Sequence, residues 1–514
     1  MFRASINRSQ ISLTLIILLI FFGSFVLIFS RAMEKGYNRD ENQFVASGEL
    51  LARNSLLPYR DYPHFHMPNL VFVYGLIFQF TDYVLLGARV FSVICAASSA
   101  VLLFILTYNF FKEQTVLLRA FAGLASVFLL LPNPLFIYTS GLAWNHDFPI
   151  FLTLLAVVAY LYSALERSSR LWIFVSGVLV GLAIGTRLLF VTAVIPFLVT
   201  LVWHPGAQNR KGLLNAILLL SIGVSVGLIP SFLLFLLSPN QFIFGNLVYP
   251  NLNTMFRLET GFEGPIGLFE KIVYVFSEVL TVPGNLLLFL ASLFFAFSLG
   301  VIDLWIRKRI RFEFLLISLL ILFIAAGSFL PSPAWYQYFY APVPFAILGI
   351  MYGISRFNGY LNQKINLTWI LFVQILILVN IFGLDQYSKM SVLTDRTTWF
   401  PLRVRILGHQ IENISKVGRV LTLSPVYLLD GNSQIYPEFA SGPFAWRISQ
   451  FVPSKDRKDL SLVSETDLNT WLESDPPGGI LVGLHNELER SLVRYALENG
   501  YQEIRLSELV LFVP

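Results

Sequence analysis

The stretch "GYNRDENQF" occupies residues 36–44, a few residues after "ISLTLIILLIFFGSFVLIFS" at 11–30. The earlier run carries no charge and is long enough to cross a bilayer as one helix. The later one sets Arg39, Asp40 and Glu41 side by side where the chain leaves the hydrocarbon. A solvated helix start, favoured by the N-terminal dipole, is one reading. A carboxylate held there for chemistry is the other. On a helix starting near residue 40, Asp40, Phe44, Ser47 and Leu51 form one stripe, with Glu41, Val45, Gly48 and Ala52 beside it. Both acids therefore begin the face that the apolar side chains bury. This predicts a helix at the membrane surface with its first turn facing the bundle.

The composition fits that placement. Of 514 residues, 56% are apolar and 13% charged, and there are 48 Phe. That excludes an ordinary soluble domain and points to a chain that crosses the membrane many times. The first run is too long for a signal-peptide core and has no small-residue cleavage site after it, so a retained first span is expected. About eleven runs are long enough to cross: 11–30, 84–110, 116–137, 148–165, 171–186, 188–203, 213–237, 278–305, 313–330, 336–354 and 367–384. Cys95 is alone, so no intramolecular disulfide can form. The net charge of +5 is spread over short clusters between apolar runs, a topology signal rather than a nucleic-acid surface.

Those clusters set the expected orientation. With Arg3 and Arg8 cytoplasmic, alternate loops should be basic. They carry Lys112 and Arg119, Arg167 and Arg170, Arg210 and Lys211, "RKRIR" at 307–311, and Arg356 and Lys364. The opposite loops, 31–83, 138–147, the turn at Arg187, 238–277 and 331–335, hold the polar chemistry. Residues 385–514 then fall on the non-cytoplasmic side. In that tail "GRVLTL" and "GGILVGL" read as strands and "ELERSLVRYALENG" as a helix. The expected fold is an all-α polytopic membrane bundle over 1–384, with surface helices in the first outer loop (31–83). A small soluble α/β domain follows over 385–514. Neither an internal repeat nor a low-complexity segment is visible.

The outer loops supply the candidates. "YRDYPHFHMPNL" brings Asp61, His64 and His66 together between Pro63 and Pro68, and 69–80 reads as a second surface helix. The H-x-H pattern falls short of the three or four ligands a metal needs. No cofactor is expected, and a divalent metal is the less favoured alternative. "WNHDFP" sets Asn145, His146 and Asp147 at the mouth of the fourth span, where Asp147 can cap the helix. Arg187 stands alone between two apolar runs, where an arginine needs a partner such as Asp40, Asp147 or an anionic headgroup. Arg257 follows in a loop rich in Asn and aromatics, and "AWYQYFY" packs Tyr336, Gln337 and Tyr338 into another. An interfacial aromatic belt explains these rings as well as sugar binding does.

"RDENQFVASGELLARNSLLPYRDYPHFHMPNL" at 39–70, "NHDFP" at 145–149 and "GLAIGTRLLF" at 181–190, in that order and on one side, resemble the GT-C superfamily of membrane glycosyltransferases. The nearest likeness is to bacterial protein O-mannosyltransferase-like and lipid A aminoarabinose transferase-like members. It extends to about residue 350. It implies an inverting transfer of a sugar from a polyprenyl-phosphate carrier to a lipid, glycan or protein acceptor on the non-cytoplasmic face. By position, Asp40 resembles the catalytic acid, Glu41 its common neighbour, and Asp147 the second acidic position. His66 in "HMP" stands where some relatives have the Lys of "KPP". Tyr336, Gln337 and Tyr338 resemble a late motif near the carrier phosphate. Arg187, Arg257, Lys271 or a histidine would meet the charge on the leaving phosphate.

Two other classes compete. A transporter or flippase places polar groups near the midplane on broken helices, often in inverted repeats. A non-catalytic scaffold would use the outer domain to bind a partner. The transferase reading requires Asp40, Asp147 and Arg187 to line one outward site open to lipid.

Overall fold

In a computed structural model the chain is described at residues 8–164, 169–207, 209–261, 264–306, 308, 310–360, 367–387, 390–415, 418–431 and 433–514. Arg3, Arg167, Arg307, Arg309 and Lys364 of the basic clusters lie outside those residues. The apolar runs are helical. α1 (Arg8–Glu34) and α4 (Val84–Phe110) are long, uninterrupted rods. Five helices are long and apolar enough to cross a membrane, and further apolar helices have 10–17 residues, so length supports five of the eleven expected crossings. The longer runs break where proline removes a backbone donor or restricts its neighbour. The run 116–137 divides into α5 (Val116–Leu130) and α6 (Pro134–Thr139) around Pro132, with the Asn133 side chain accepting from the N–H groups of Leu135 and Phe136. The run 188–203 is 3-10 helix at its two ends around a short α-helix holding Pro196.

α7 (Asp147–Ser163) and α8 (Ser169–Thr186) continue the bundle. α8 meets the helix Arg210–Gly227 backbone to backbone. A Cβ on Gly181 would fall 2.2 Å from the Val224 carbonyl oxygen, and one on Gly223 2.3 Å from that of Phe174. Gly177-x-x-x-Gly181 facing Gly223-x-x-x-Gly227 is the small-residue seam that membrane helices use for close approach.

The first outer loop folds as α2 (Arg39–Asn54) and α3 (Asn69–Ile77). The Asn38 side chain caps α2 through the Asp40 N–H, and Ser55 ends it in a left-handed conformation. Every residue from Glu41 to Leu50 is buried. The stripe predicts a surface helix with its first turn facing the bundle; the burial extends well beyond that turn. α2 is sandwiched between the bundle and the C-terminal domain. Phe44, Val45, Leu70, Tyr74 and Trp144 share one core with Phe400, Val404, Val426, Leu428 and Leu511. Asn42 faces that domain: its carboxamide donates to Tyr37 Oη at 2.7 Å and accepts from the Val426 N–H at 3.3 Å.

The domain itself is a four-stranded sheet in the order β1 (Val420–Thr422), β2 (Gly479–Val482), β4 (Leu509–Val513), β3 (Gln502–Leu506). β1 and β2 run parallel, with Val420 opposite Gly479, and the remaining pairs are antiparallel. The expected strands and the helix Arg490–Glu498 are present. Asp430, also in this domain, reaches the start of α4 and accepts from the N–H groups of Val84 and Leu85 at 2.9 and 3.2 Å. A carboxylate there satisfies orphan donors and meets the positive helix end. Asp430→Ala should cost about 0.5–2 kcal/mol, the range for losing a cap. It should register as a lower Tm of the purified protein, and an unchanged Tm would show that the domain does not brace α4.

Candidate active site

The end of α1, the start of α7 and the end of α8 meet at one end of the bundle, beneath α2 and the C-terminal domain. The acids expected to act together separate there into two environments. Glu41 is 2% exposed and its oxygens are engaged. Arg89 Nε and Nη2 grip them at 2.8 and 2.7 Å, and the Ala143 N–H adds a bond of 2.7 Å. Arg89, fully buried, also donates to the carbonyls of Ala32, Lys35 and Gly36. Asp147 is buried too, accepting from the Gly141 N–H at 2.8 Å and from Tyr340 Oη at 3.3 Å. It is the first helical residue of α7, while His146 holds the cap position. Its nearby cation is Lys35, whose ammonium donates to the carbonyls of Tyr138 and Ser140 and is pulled down to about 7, chiefly by burial. The Glu41–Arg89 ion pair, with the backbone contacts of Arg89 and Lys35, thus ties α1, α2, α4 and the loop before α7 together.

Asp40 is different. Its carboxylate takes no hydrogen bond and makes no ion pair among the described residues, and it is only partly buried. Burial raises its pKa above the ordinary carboxylate range, and the charges of Arg447, Arg187, Arg257 and Arg39 oppose that rise. It is a carboxylate with open lone pairs in a positive surround.

The arginines come from three parts of the chain. Arg187 follows α8 in extended conformation, 8% exposed, its guanidinium 5.0 Å over the Tyr338 ring and its Nη1 2.9 Å from His146 Nε2. Burial lowers it to about 10, which leaves it charged. Arg257, on the surface helix Tyr249–Glu259, sits 5.0 Å over Trp335 and is likewise drawn to about 10, first by burial and then by Arg447. Arg447 comes from the helix Pro443–Ser449 of the C-terminal domain. The histidines are neutral. His66 stacks on Phe44 at 5.2 Å and is pushed down to about 3 by burial and then by Arg187. His146, packed 4.5 Å from Trp144, is pushed well down by the same two causes. His64 lies a step away, its Nδ1 3.1 Å from Ser47 Oγ, and burial holds it near 3.

Of the aromatic group, Tyr338 meets Arg187, whereas Tyr336 turns aside to Asn285 at 3.1 Å and Gln337 is buried. Lys271 is outside the cluster, donating to the Phe329 carbonyl and to Ser332. Among the described residues no group of three or more His, Cys, Asp or Glu is placed to hold a metal. Sequence reasoning missed Arg447 and Tyr249. The available signal was a lone Arg inside the apolar "PFAWRIS" at 443–449, all of it buried.

The bundle thus carries at one end a carboxylate without a hydrogen-bond partner, under the electrostatic influence of several arginines. Residues 66–236 match the family described as dolichyl-phosphate-mannose-protein mannosyltransferase. ArnT from Cupriavidus metallidurans bound to undecaprenyl phosphate has a similar fold, at 15% identity and a TM-score of 0.57, over 96% of this chain and 97% of that one. Its apo form gives 16% identity and a TM-score of 0.54, over 98% of each chain. The Archaeoglobus fulgidus oligosaccharyltransferase tethered with an acceptor peptide gives 12% identity and 0.51, over 92% of this chain and 69% of that one. No curated protein matches the chain. At such identities the structures speak for the fold. The chain shares the fold of these membrane proteins, and its long apolar helices make it an integral membrane protein.

Proposed function

We propose that this protein moves a sugar from a polyprenyl-phosphate carrier to an acceptor hydroxyl, with inversion, on the non-cytoplasmic face of the membrane. The observation that carries the reading is the unengaged Asp40 carboxylate among Arg187, Arg257 and Arg447. The acceptor O–H attacks the anomeric carbon and its proton passes to Asp40. The bond from that carbon to the phosphate oxygen breaks, and the lipid phosphate leaves with one more negative charge. Preformed cations stabilise charge that develops in the transition state, which is where such interactions act on rate. Neutral His66 and His146 and the Tyr338 ring border the same volume and can hydrogen-bond or stack on the sugar. The N-terminus is then cytoplasmic and the C-terminal domain extracytoplasmic, a topology that the distribution of Lys and Arg supports.

The test is transfer by purified protein offered a panel of undecaprenyl-phosphate sugars, with released carrier and product anomer measured. The expected result is carrier release with an inverted anomer for at least one donor. Movement of an intact lipid-linked saccharide across proteoliposomes with no carrier released would favour the flippase. Inertness towards every donor, in protein shown to be folded, would favour the scaffold.

A further inference from the structure

We propose that Arg447, carried by the C-terminal domain, is a direct ligand of the carrier phosphate, so that the outer domain completes the donor site rather than merely covering it. The inference rests on the donor class proposed above. Arg447 is 6% exposed, and among the described residues its contacts are with Tyr249 and aromatic rings rather than a carboxylate. Its guanidinium is built into place, lying 4.6 Å over the Phe444 ring with Nη2 donating to Tyr249 Oη at 3.0 Å. Its Nε is buried without a hydrogen-bond partner. A desolvated guanidinium with an unmet donor is costly to hold unless an anion joins it. Arg89 in the same protein shows what a purely structural arginine looks like here, with Glu41 and three carbonyls meeting its donors. Arg447 also heads the charges that act on Asp40 and stands beside Arg257, so its field falls on the place where the base and the leaving group meet.

The charges match. Before transfer the phosphodiester and Asp40 carry two negative charges. After it the carrier phosphate approaches a dianion while Asp40 holds the acceptor's proton. Arg187 and Arg257 answer the ground state, and Arg447 adds a planar fork suited to two phosphate oxygens as the second charge develops.

Binding of undecaprenyl phosphate to the full-length protein tests this, with transfer kinetics alongside. Arg447→Gln should weaken carrier binding at least about tenfold and lower kcat, Arg447→Lys should recover part of both, and Tyr249→Phe should give a smaller loss. Arg419→Gln, a surface arginine of the same domain paired with Asp475, should bind as wild type does. Thermal melting of each variant separates misfolding from lost contact. Equal affinity in wild type and folded Arg447→Gln would overturn the assignment of Arg447 and leave the donor class standing. Wild-type protein that binds no undecaprenyl phosphate would overturn both. If Arg447→Gln does not fold, Tyr249→Phe and Arg447→Lys decide, and wild-type affinity in both rejects the proposal.

Discussion

Asp40→Asn should cut kcat by about 10²–10⁴-fold, the usual contribution of a positioned base, while the protein stays folded and still binds its carrier. The amide has the carboxylate's shape, and the Asp40 oxygens accept no hydrogen bond that the substitution would break. Removing one negative charge from among Arg447, Arg187 and Arg257 should leave lipid-phosphate affinity equal or tighter, so the loss falls on kcat rather than KM. The pH dependence has a definite sign. Burial raises the folded-state pKa of Asp40, and the base works only when ionised. Activity is therefore lost as pH falls through a value above the ordinary carboxylate range, and the residual rate of Asp40→Asn lacks that acid limb. For stability the linkage runs the other way. A raised carboxylate pKa gives a contribution fully present below the unfolded value and lost as pH rises through the folded one. The neutral amide should thus melt no lower than wild type at neutral pH. Full-speed transfer by Asp40→Asn would remove the base from the mechanism.

The sequence made some of this legible and hid the rest for physical reasons. Hydrophobic runs located the helices, because apolar length is a local property, whereas the breaks around Pro132 and Pro196 were not read from the runs. α4 covers residues 84–110, as its run predicted. The acidic start of α2 and the isolation of Arg187 were local signals too, and the structure brings Asp40 and Arg187 within electrostatic reach of one another. Periodicity shows which side chains point inward, not what they meet. Glu41 and Asp40 looked alike on the helix, but Glu41 is held by Arg89 on α4 and by the loop before α7, whereas Asp40 has no such partner and feels the arginines only through their charge. Asp147 carried the signature of a helix cap, but its oxygens hold Gly141 and Tyr340 instead. The burial of α2 escaped because its cover comes from Val426 and its neighbours in the tail, hundreds of positions away. Arg447 escaped for the same reason.

Glu41→Ala should have the opposite profile to its neighbour: a large loss of stability and little change in turnover per folded molecule. The substitution strips Arg89 of its only ion pair among the described residues, 48 positions away in sequence, and leaves a fully buried guanidinium uncompensated. Breaking a buried pair from one side typically costs about 3–5 kcal/mol, since the remaining charge has neither water nor partner. It also orphans the Ala143 N–H, which removes a tether of the loop that carries His146. Thermal melting of the purified variant should show the drop, and Glu41→Gln, which can still accept from Arg89, should fall between. Replacing both partners, as in Glu41→Leu with Arg89→Met, should recover only part of the loss: the uncompensated guanidinium is gone, but the Ala143 N–H and the carbonyls of Ala32, Lys35 and Gly36 are left without partners. Transfer measured per folded molecule decides what Glu41 does. A folded Glu41→Ala with wild-type melting and a kcat as low as that of Asp40→Asn would return Glu41 to the chemistry. A low Tm with near-normal kcat places it in the frame that holds Asp40 over the arginines.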